Sequence, residues 1–574
     1  MTGVKRKSKS LSKAEGSSVK ETLAQKRRQR EQFRNAFLII ISSLVFILAV
    51  GVPLSLLINP KIGLSIPLAL VVFICSYKYP RTGLWMFLIY MPFSGTITYS
   101  IGGGNIAFQL AKDIFYLGAL IGLIQECRSK NKLIFIEPKL RVTLILLLFF
   151  CAMTYLFVNL PSEFLPYCDS LGEEDRFLRD ATGAYILNPR TGLVIATPCK
   201  QGLTSLQGLL GLKVLLGYIP LIFCAYHLIE TKKDLIFLGR LLLVLTIICC
   251  LLGLYQYRLL ASGACDGTRF MTAVDIYKPQ LEARCFVGGA VAFNPNHAVI
   301  RLPGTFVSPW HWGWFLIANA GITFATTFSD PSWKWRIAGL GGMTLVFINA
   351  IISGQRIALV LVPVFFLVML ILTGQIFKLR AFLPIGLGFT VLLFIVATSN
   401  PEIFQQRVDS FVDRWNAAPP YIFMLNQYNW ALSQSRGILG SGLGLATSSG
   451  RFLGDIFLVE TFHARIFYEI GLFGLLAFMA FITSLVVYTF KSYRIILDPV
   501  IKNYASSFWV FILLISYFPY WYPLDTDPVA VYYWFFAGVI FKAGFLQEQV
   551  NKETKAEKIK GRRFKLRSQK QGVV

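Results

Sequence analysis

The chain has 574 residues, of which 55% are hydrophobic and only 15% charged, and its formal net charge is +26. A soluble protein of this length carries more charge and divides into domains, so the composition excludes a water-soluble globule and predicts a polytopic membrane protein. The positive charge does not point to nucleic acid, because it is gathered in two tails: residues 1–35 carry eleven Lys/Arg against three Glu, and residues 542–574 carry ten against three.

Both tails are polar and poor in aromatics, which predicts disorder or weak helicity. Basic tails beside membrane spans set topology and touch anionic lipid. The N-terminus shows neither a short apolar core nor a small-residue cleavage site, so no cleaved signal peptide is expected. The expected organisation is a basic cytoplasmic tail (1–35), a transmembrane domain (36–546) and a second basic cytoplasmic tail (547–574).

At ~20 apolar residues per crossing, about fourteen spans are predicted. They lie near 36–58, 62–79, 83–100, 108–126, 141–160, 206–229, 235–257, 309–328, 337–352, 357–376, 381–398, 464–489, 506–522 and 529–546. Short basic linkers at 78–81, 128–139, 231–234, 334–336, 378–380 and 491–494 then fall on the side of both tails, the cytoplasm by the positive-inside rule. Three long segments fall on the exported side: 161–205, 258–308 and 399–463, the last between the eleventh and twelfth spans. The first is mildly acidic. Cys168, Cys199, Cys265 and Cys285 lie in these segments, and paired exported cysteines predict disulfides, most simply one per loop. No CxxC or HxxxH spacing is present, so no metal is expected.

Within 399–463, Phe404, Val408, Phe411 and Trp415 recur at helical spacing and predict a surface helix, with Arg407 and Arg414 sharing another face. The run 421–432 is aromatic and suits a membrane interface. A Gly-rich turn follows, Gly440-Ser441-Gly442-Leu443-Gly444, then His463 at the mouth of a long apolar helix opened by Glu469-Ile470-Gly471. No strand precedes the turn and no Walker lysine is present, so the glycines are read as a sharp bend rather than a nucleotide cradle.

Two residue types on the exported side carry chemistry. Arginine grips phosphate oxygens in a fixed fork, and the candidates are Arg301, Arg356, Arg407 and Arg414. Arginines at helix ends also snorkel to headgroups with no specific role. A histidine titrating near neutrality can serve as a general base, and His463 is the candidate. His311 is read as interfacial or packing, His297 as a loop residue, and His227 as lying on the wrong side. Asp113, beside Lys112 in an apolar span, is costly unless it faces a polar cavity or pairs with its neighbour. Asp525 and Asp527 lie on the exported side, where they could bind a sugar or polarise a base.

Three blocks, in order, resemble the O-antigen ligase and Wzy-type polysaccharide polymerase family. Residues 301–313 read RLPGTFVSPWHWG, similar to the family's Arg-x-x-Gly-x-Phe-x-x-Pro segment. Residues 352–358 read ISGQRIA, similar to its Ser-Arg-Gly turn. Residues 430–477 hold Trp-Ala-Leu, the G-x-G-x-G turn, the histidine and a Glu-x-Gly-Leu-x-Gly helix start. The resemblance covers roughly 300–480. It implies an all-α, GT-C-like transmembrane fold and metal-independent glycosyl transfer from an undecaprenyl-diphosphate-linked oligosaccharide to an acceptor glycan. No cofactor is implied. The diphosphate-holding roles fall on Arg301 and Arg356, and activation of the acceptor on His463. Where the family often has an arginine before Trp-Ala-Leu this chain has Asn426 and Gln427, which leaves that role to Arg414. Segments in the N-terminal third, such as 60–63 and 109–113, resemble the cyanobacterial hormogonium polysaccharide biosynthesis branch and point to exopolysaccharide polymerisation.

The location implied is the bacterial plasma membrane, with membrane lipid, a flippase and chain-length or export proteins as partners and no nucleic acid. The competing classes are a flippase for the same lipid-linked sugars and a non-catalytic member of an export complex. A flippase needs charge accessible from both faces and usually shows two similar halves, whereas the candidates here cluster on one face and no repeat is visible.

Overall fold

The computed structural model describes residues 41–56, 60–134, 137–171, 202–297, 299–375, 419–435, 437–518 and 523–571, with short stretches and single positions between them. Arg407 and Arg414 lie outside the described residues, as does all but Thr398 of the expected span 381–398. The chain is predominantly α-helical. Among the described residues, seven helices are long and apolar enough to cross a membrane: Pro138–Ser162, Thr204–Leu228, Lys232–Ala261, Trp333–Ile352, Phe462–Arg494, Pro499–Tyr517 and Asp527–Lys555. Each overlaps an expected span. Three shorter apolar helices, Ile41–Leu56, Gly63–Lys78 and Arg356–Leu372, fall on three more.

Some expected spans are interrupted where the sequence demands it, two of them in the N-terminal half. Over 83–100 the helix Pro80–Tyr90 gives way to a 3-10 turn, Met91–Phe93, and a π-helical stretch, Thr96–Ile101. Pro92 removes an amide donor at that point. Over 206–229 the break falls at Gly217 to Pro220, between Thr204–Leu216 and Leu221–Leu228.

Two compact units are distinguished, residues 1–83 with 110–122, and residues 84–109 with 123–574. In the first, Gly118 and Gly122 face the main-chain carbonyls of Phe73 and Tyr77, an approach that a side chain would block. Lys112 and Asp113 are both buried.

The second unit is built around helix α1, Pro309–Ser329, which is buried along nearly its whole length. It packs against α2 (Lys232–Ala261), α3 (Trp333–Ile352), α4 (Arg356–Leu372), α5 (Pro499–Tyr517) and α6 (Asp527–Gln571). Surrounded by protein rather than lipid, α1 can carry polar side chains if each finds a partner. Asn319 accepts from Thr246 at 2.7 Å and donates to the Phe315 carbonyl at 2.8 Å. Thr326 bonds the Tyr504 hydroxyl at 3.0 Å. This polarity explains why α1 matches the expected span 309–328 yet is not among the seven helices long and apolar enough to cross a membrane.

Charged linkers converge at one end of these helices. Thr231 and Asp234 form a capping box at the start of α2. Lys232 pairs with Asp498 at 2.7 Å, Arg240 grips Asp330 through two contacts of 2.8 Å, and Gln547 accepts from the Leu497 and Asp498 amides. The long loops gather at the opposite end. Cys168 is bridged to Cys199 and Cys265 to Cys285, one disulfide within each loop as the spacing predicted. The second bridge closes a small core of Leu260, Ala283, Val291, Phe293, Ile300 and Leu302. That core carries an antiparallel hairpin, β1 (Ala292–Asn294) with β2 (Val299–Arg301).

The C-terminal tail, expected to be disordered or weakly helical, is helical: α6 runs unbroken from Asp527 to Gln571. Its distal sequence lacks proline and is rich in Lys, Arg, Glu and Gln, all strong helix formers, so the span extends beyond the apolar stretch.

Candidate active site

Arg301 is the last residue of β2, and Arg356 the first of α4. The two segments touch through main chain: the Leu302 amide donates to the Ser353 carbonyl at 3.0 Å. Gly354, at φ +68°, lies so close to the Ile300 carbonyl that a Cβ there would overlap it. Ser353 then accepts from the Gln355 amide at 3.2 Å and closes the turn into α4. Residues 55 positions apart in sequence are thus set side by side, both half-buried.

Segment 303–308 leads from Arg301 into α1. Thr305 donates to the Pro92 carbonyl at 2.6 Å, and its own carbonyl accepts from the Gly95 and Thr96 amides. Ser308 and His311 Nδ1 are 2.6 Å apart at the first turn of α1, and the His311 ring stacks near Phe306. His311 is therefore a packing residue, in keeping with its sequence reading. His297 lies exposed in the hairpin loop beside Tyr277, and His227 contacts the Leu133 carbonyl.

His463 is buried near the start of helix α7, Phe462–Arg494. This helix does not open at Glu469 as the sequence suggested. It starts at Phe462 and is broken at Gly471, whose φ of +73° and ψ of −175° are not helical. Phe462 and Phe478 have ring centroids 5.6 Å apart. Sixteen residues of continuous helix would advance about 24 Å, so the chain turns sharply back at Gly471 and the two halves lie side by side. His463 packs against the Phe462 and Phe478 rings, and the Ser516 main chain lies next to its imidazole.

The Gly-rich turn docks on this break. Gly440, Gly442 and Gly444 all have positive φ, the conformation glycine adopts without a Cβ penalty. The Ser441 amide donates to the Tyr468 carbonyl at 2.7 Å and the Gly442 amide to the Glu469 carbonyl at 3.1 Å, so carbonyls released by the helix break are satisfied. Asn159 holds the turn from the other side, accepting from the Leu443 amide and donating to its carbonyl, both at 2.9 Å.

Beneath the turn lies a charge cluster that the sequence reading missed. Arg465 and Glu469, i and i+4 on the first half of α7, are both fully buried. Glu469 Oε1 accepts from the Ala446 amide at 2.9 Å and the Thr447 hydroxyl at 3.0 Å, and lies 3.5 Å from Arg465 Nε. Arg465 also donates to Thr447 at 2.6 Å and pairs with Asp525 at 2.8 Å. Glu469 Oε2 is buried with no hydrogen-bond partner among the described residues. The available signal was the pair of opposite charges at helical spacing inside an apolar window, two residues after His463. Asp525 takes part in an ion pair rather than standing alone, and Asp527 accepts from the Tyr218 hydroxyl at 3.4 Å.

Helix α1 links the arginine turn to His463. Gly313 faces the Gln355 side chain, and one residue later Trp314 meets Phe518 edge-on at 5.7 Å, two residues past Ser516. Arg301, Arg356 and His463 thus share one end of the helices, the end that carries the disulfide-bonded loops. No protein-family model matches the chain, and no curated protein matches it significantly.

Proposed function

We propose that this protein is a membrane glycosyltransferase that polymerises or ligates polysaccharide repeat units carried on undecaprenyl diphosphate. In this reading the chain has a GT-C-like fold and crosses the bacterial plasma membrane about fourteen times. Both termini are cytoplasmic, and the disulfide-bonded loops lie on the exported side, where disulfides persist. The observation that carries the reading is the juxtaposition of the Arg301 and Arg356 segments in main-chain contact, at the same end as a buried histidine. Two guanidiniums suit a diphosphate leaving group, whose charge grows as the bond to the sugar breaks.

The reaction follows from these roles. The acceptor hydroxyl oxygen bonds to the anomeric carbon, the bond from that carbon to the diphosphate breaks, and undecaprenyl diphosphate leaves. His463 takes the hydroxyl proton. A neutral imidazole carries a lone pair on one ring nitrogen, which can accept that proton. Exopolysaccharide synthesis supplies the acceptor glycan, with a flippase delivering the donor and export proteins taking the product.

The test is polymer formation by a strain lacking the protein and carrying either the native chain or His463→Ala. The variant is expected to accumulate in the membrane normally and to form no polymer, a general base being worth about 10²–10⁴ in rate. Polymer of normal amount and length would overturn the reading.

A further inference from the structure

Helix α8, Pro420–Gln434, has a circumference divided three ways. One side packs on protein: Ala431, Tyr428 and Trp430 meet Val459, Ala464 and Tyr468. Trp430 lies 5.3 Å from the Tyr468 ring and 5.7 Å from Phe457, and the Glu460 amide donates to Gln427 at 2.9 Å. A second strip is exposed and apolar, with Tyr421 at 66%, Leu425 at 63% and Leu432 at 60% exposure. At 3.6 residues per turn these three fall within about 40° of arc. The third strip, at about 80–140° from Tyr421, is exposed and polar, with Asn426, Asn429 and Ser433 interrupted by Ile422.

We infer that α8 is an in-plane helix of the membrane interface, its apolar strip lying in the acyl boundary of one leaflet and its polar strip in the headgroup water. Four observations fix the occupant as lipid. The helix carries no charged residue, so an acidic or basic partner finds no complement. Its two exposed strips are adjacent and chemically opposite, which matches a boundary between two solvents rather than a single protein surface. Its fifteen residues rise about 22 Å, short of the ~30 Å hydrocarbon core, so it does not cross. The segment it packs on, around Ala464 and Tyr468, leads directly through Gly471 into a membrane-crossing helix, so the boundary is close by. By gripping residues 459–468, α8 sets the depth of His463 relative to the membrane surface. The interfacial placement of α8 does not depend on the glycosyl-transfer reading.

Collisional spin labelling tests it. Nitroxide labels are placed singly at Leu425, Leu432, Asn426 and Asn429, through cysteine, in the full chain in phosphatidylcholine nanodiscs. The labelled native chain serves as the blank for its own cysteines. Molecular oxygen concentrates in lipid and a neutral nickel chelate in water. The oxygen-to-nickel ratio is expected to be several-fold higher at 425 and 432 than at 426 and 429, and to persist at high salt because no charge is involved. Nickel dominance at all four sites would place the helix in water and overturn the inference. Low access to both reagents at 425 and 432 would show a second copy or another protein covering the strip, and would overturn it equally. Loss of the pattern at high salt would make the attachment electrostatic, which the inference forbids.

Discussion

A guanidinium without solvent exposure must find its counter-charge inside the protein, and Arg465 finds two, Glu469 and Asp525. Removing Arg465 alone would strand both carboxylates. Arg465→Ala is therefore expected to destabilise the protein by about 3–5 kcal/mol, whereas neutralising all three positions (Arg465→Met, Glu469→Gln, Asp525→Asn) should recover most of that loss. Thermal unfolding in detergent separates the two outcomes, and equal losses would show that the charges are not coupled. Arg301 and Arg356 answer to a different test. If they grip a diphosphate, alanine at either position should cost about 2–4 kcal/mol of transition-state stabilisation, and lysine less, because charge survives while the fork is lost. Turnover at the native rate by both alanine variants, at equal protein level, would reduce them to helix-end anchors. A third residue acts through pH. Glu163 accepts from the Ser205 amide at 2.9 Å, from Lys200 at 3.1 Å and from the Thr204 hydroxyl at 3.1 Å, and so caps the helix Thr204–Leu216. Chiefly through the Ser205 amide, these bonds hold its carboxyl down to about 2. A depressed carboxyl contributes stability that is complete above its unfolded value near ~4.3 and is lost as pH falls toward the folded value. Glu163→Gln should therefore lower the melting temperature at pH 6, by the equivalent of about 1 kcal/mol of cap, and make little difference near pH 2. A pH-independent gap would point to packing instead.

At the scale of the element, the break in α7 decides where His463 lies. A continuous helix would carry Phe462 well away from Phe478, and the fold-back sets them ring to ring. Gly471 permits it, because a Cβ at this position would strike the Ile438 carbonyl and the left-handed φ disfavours any other residue. Cysteines at 462 and 478 in the same chain should cross-link readily with a short bifunctional reagent. Adding Gly471→Ala should reduce the yield several-fold, and an unchanged yield would mean that the loop contacts alone hold the fold-back. The Gly-rich turn is the complement of that break: its amides take the carbonyls the helix releases, while its positive-φ glycines allow the main chains to close on each other. The turn is legible in the sequence as a sharp bend, but its target is not. Glycine spacing reports a bend, whereas the partner of the bend is another break some thirty residues away.

For the whole molecule, sidedness is the property most open to test. Lys232–Asp498, Arg240–Asp330 and the Gln547 contacts gather the charged linkers at one end, and the disulfide-bonded loops occupy the other. An impermeant thiol reagent applied to intact cells should label Asn296→Cys and leave Lys334→Cys unlabelled until lysis; the reverse would invert the topology and remove the proposed site from the exported side. The membrane character of the chain, most of its helices and one cystine in each of two loops are legible in the residues alone. Those properties are local: a lipid environment rewards an apolar residue wherever it stands, and cysteines 20 or 31 positions apart, each pair within its own loop, have few alternatives. Packing in three dimensions is what brings Arg301 to the turn before Arg356, sets His463 against Phe478 and pairs Arg465 with Asp525 sixty residues on. Those neighbours are set by which helices pack together and where they break. Hydropathy is blind to both, because a helix wrapped in protein and one wrapped in lipid can be equally apolar, while the enclosed helix α1 carries polar side chains that find partners inside the protein.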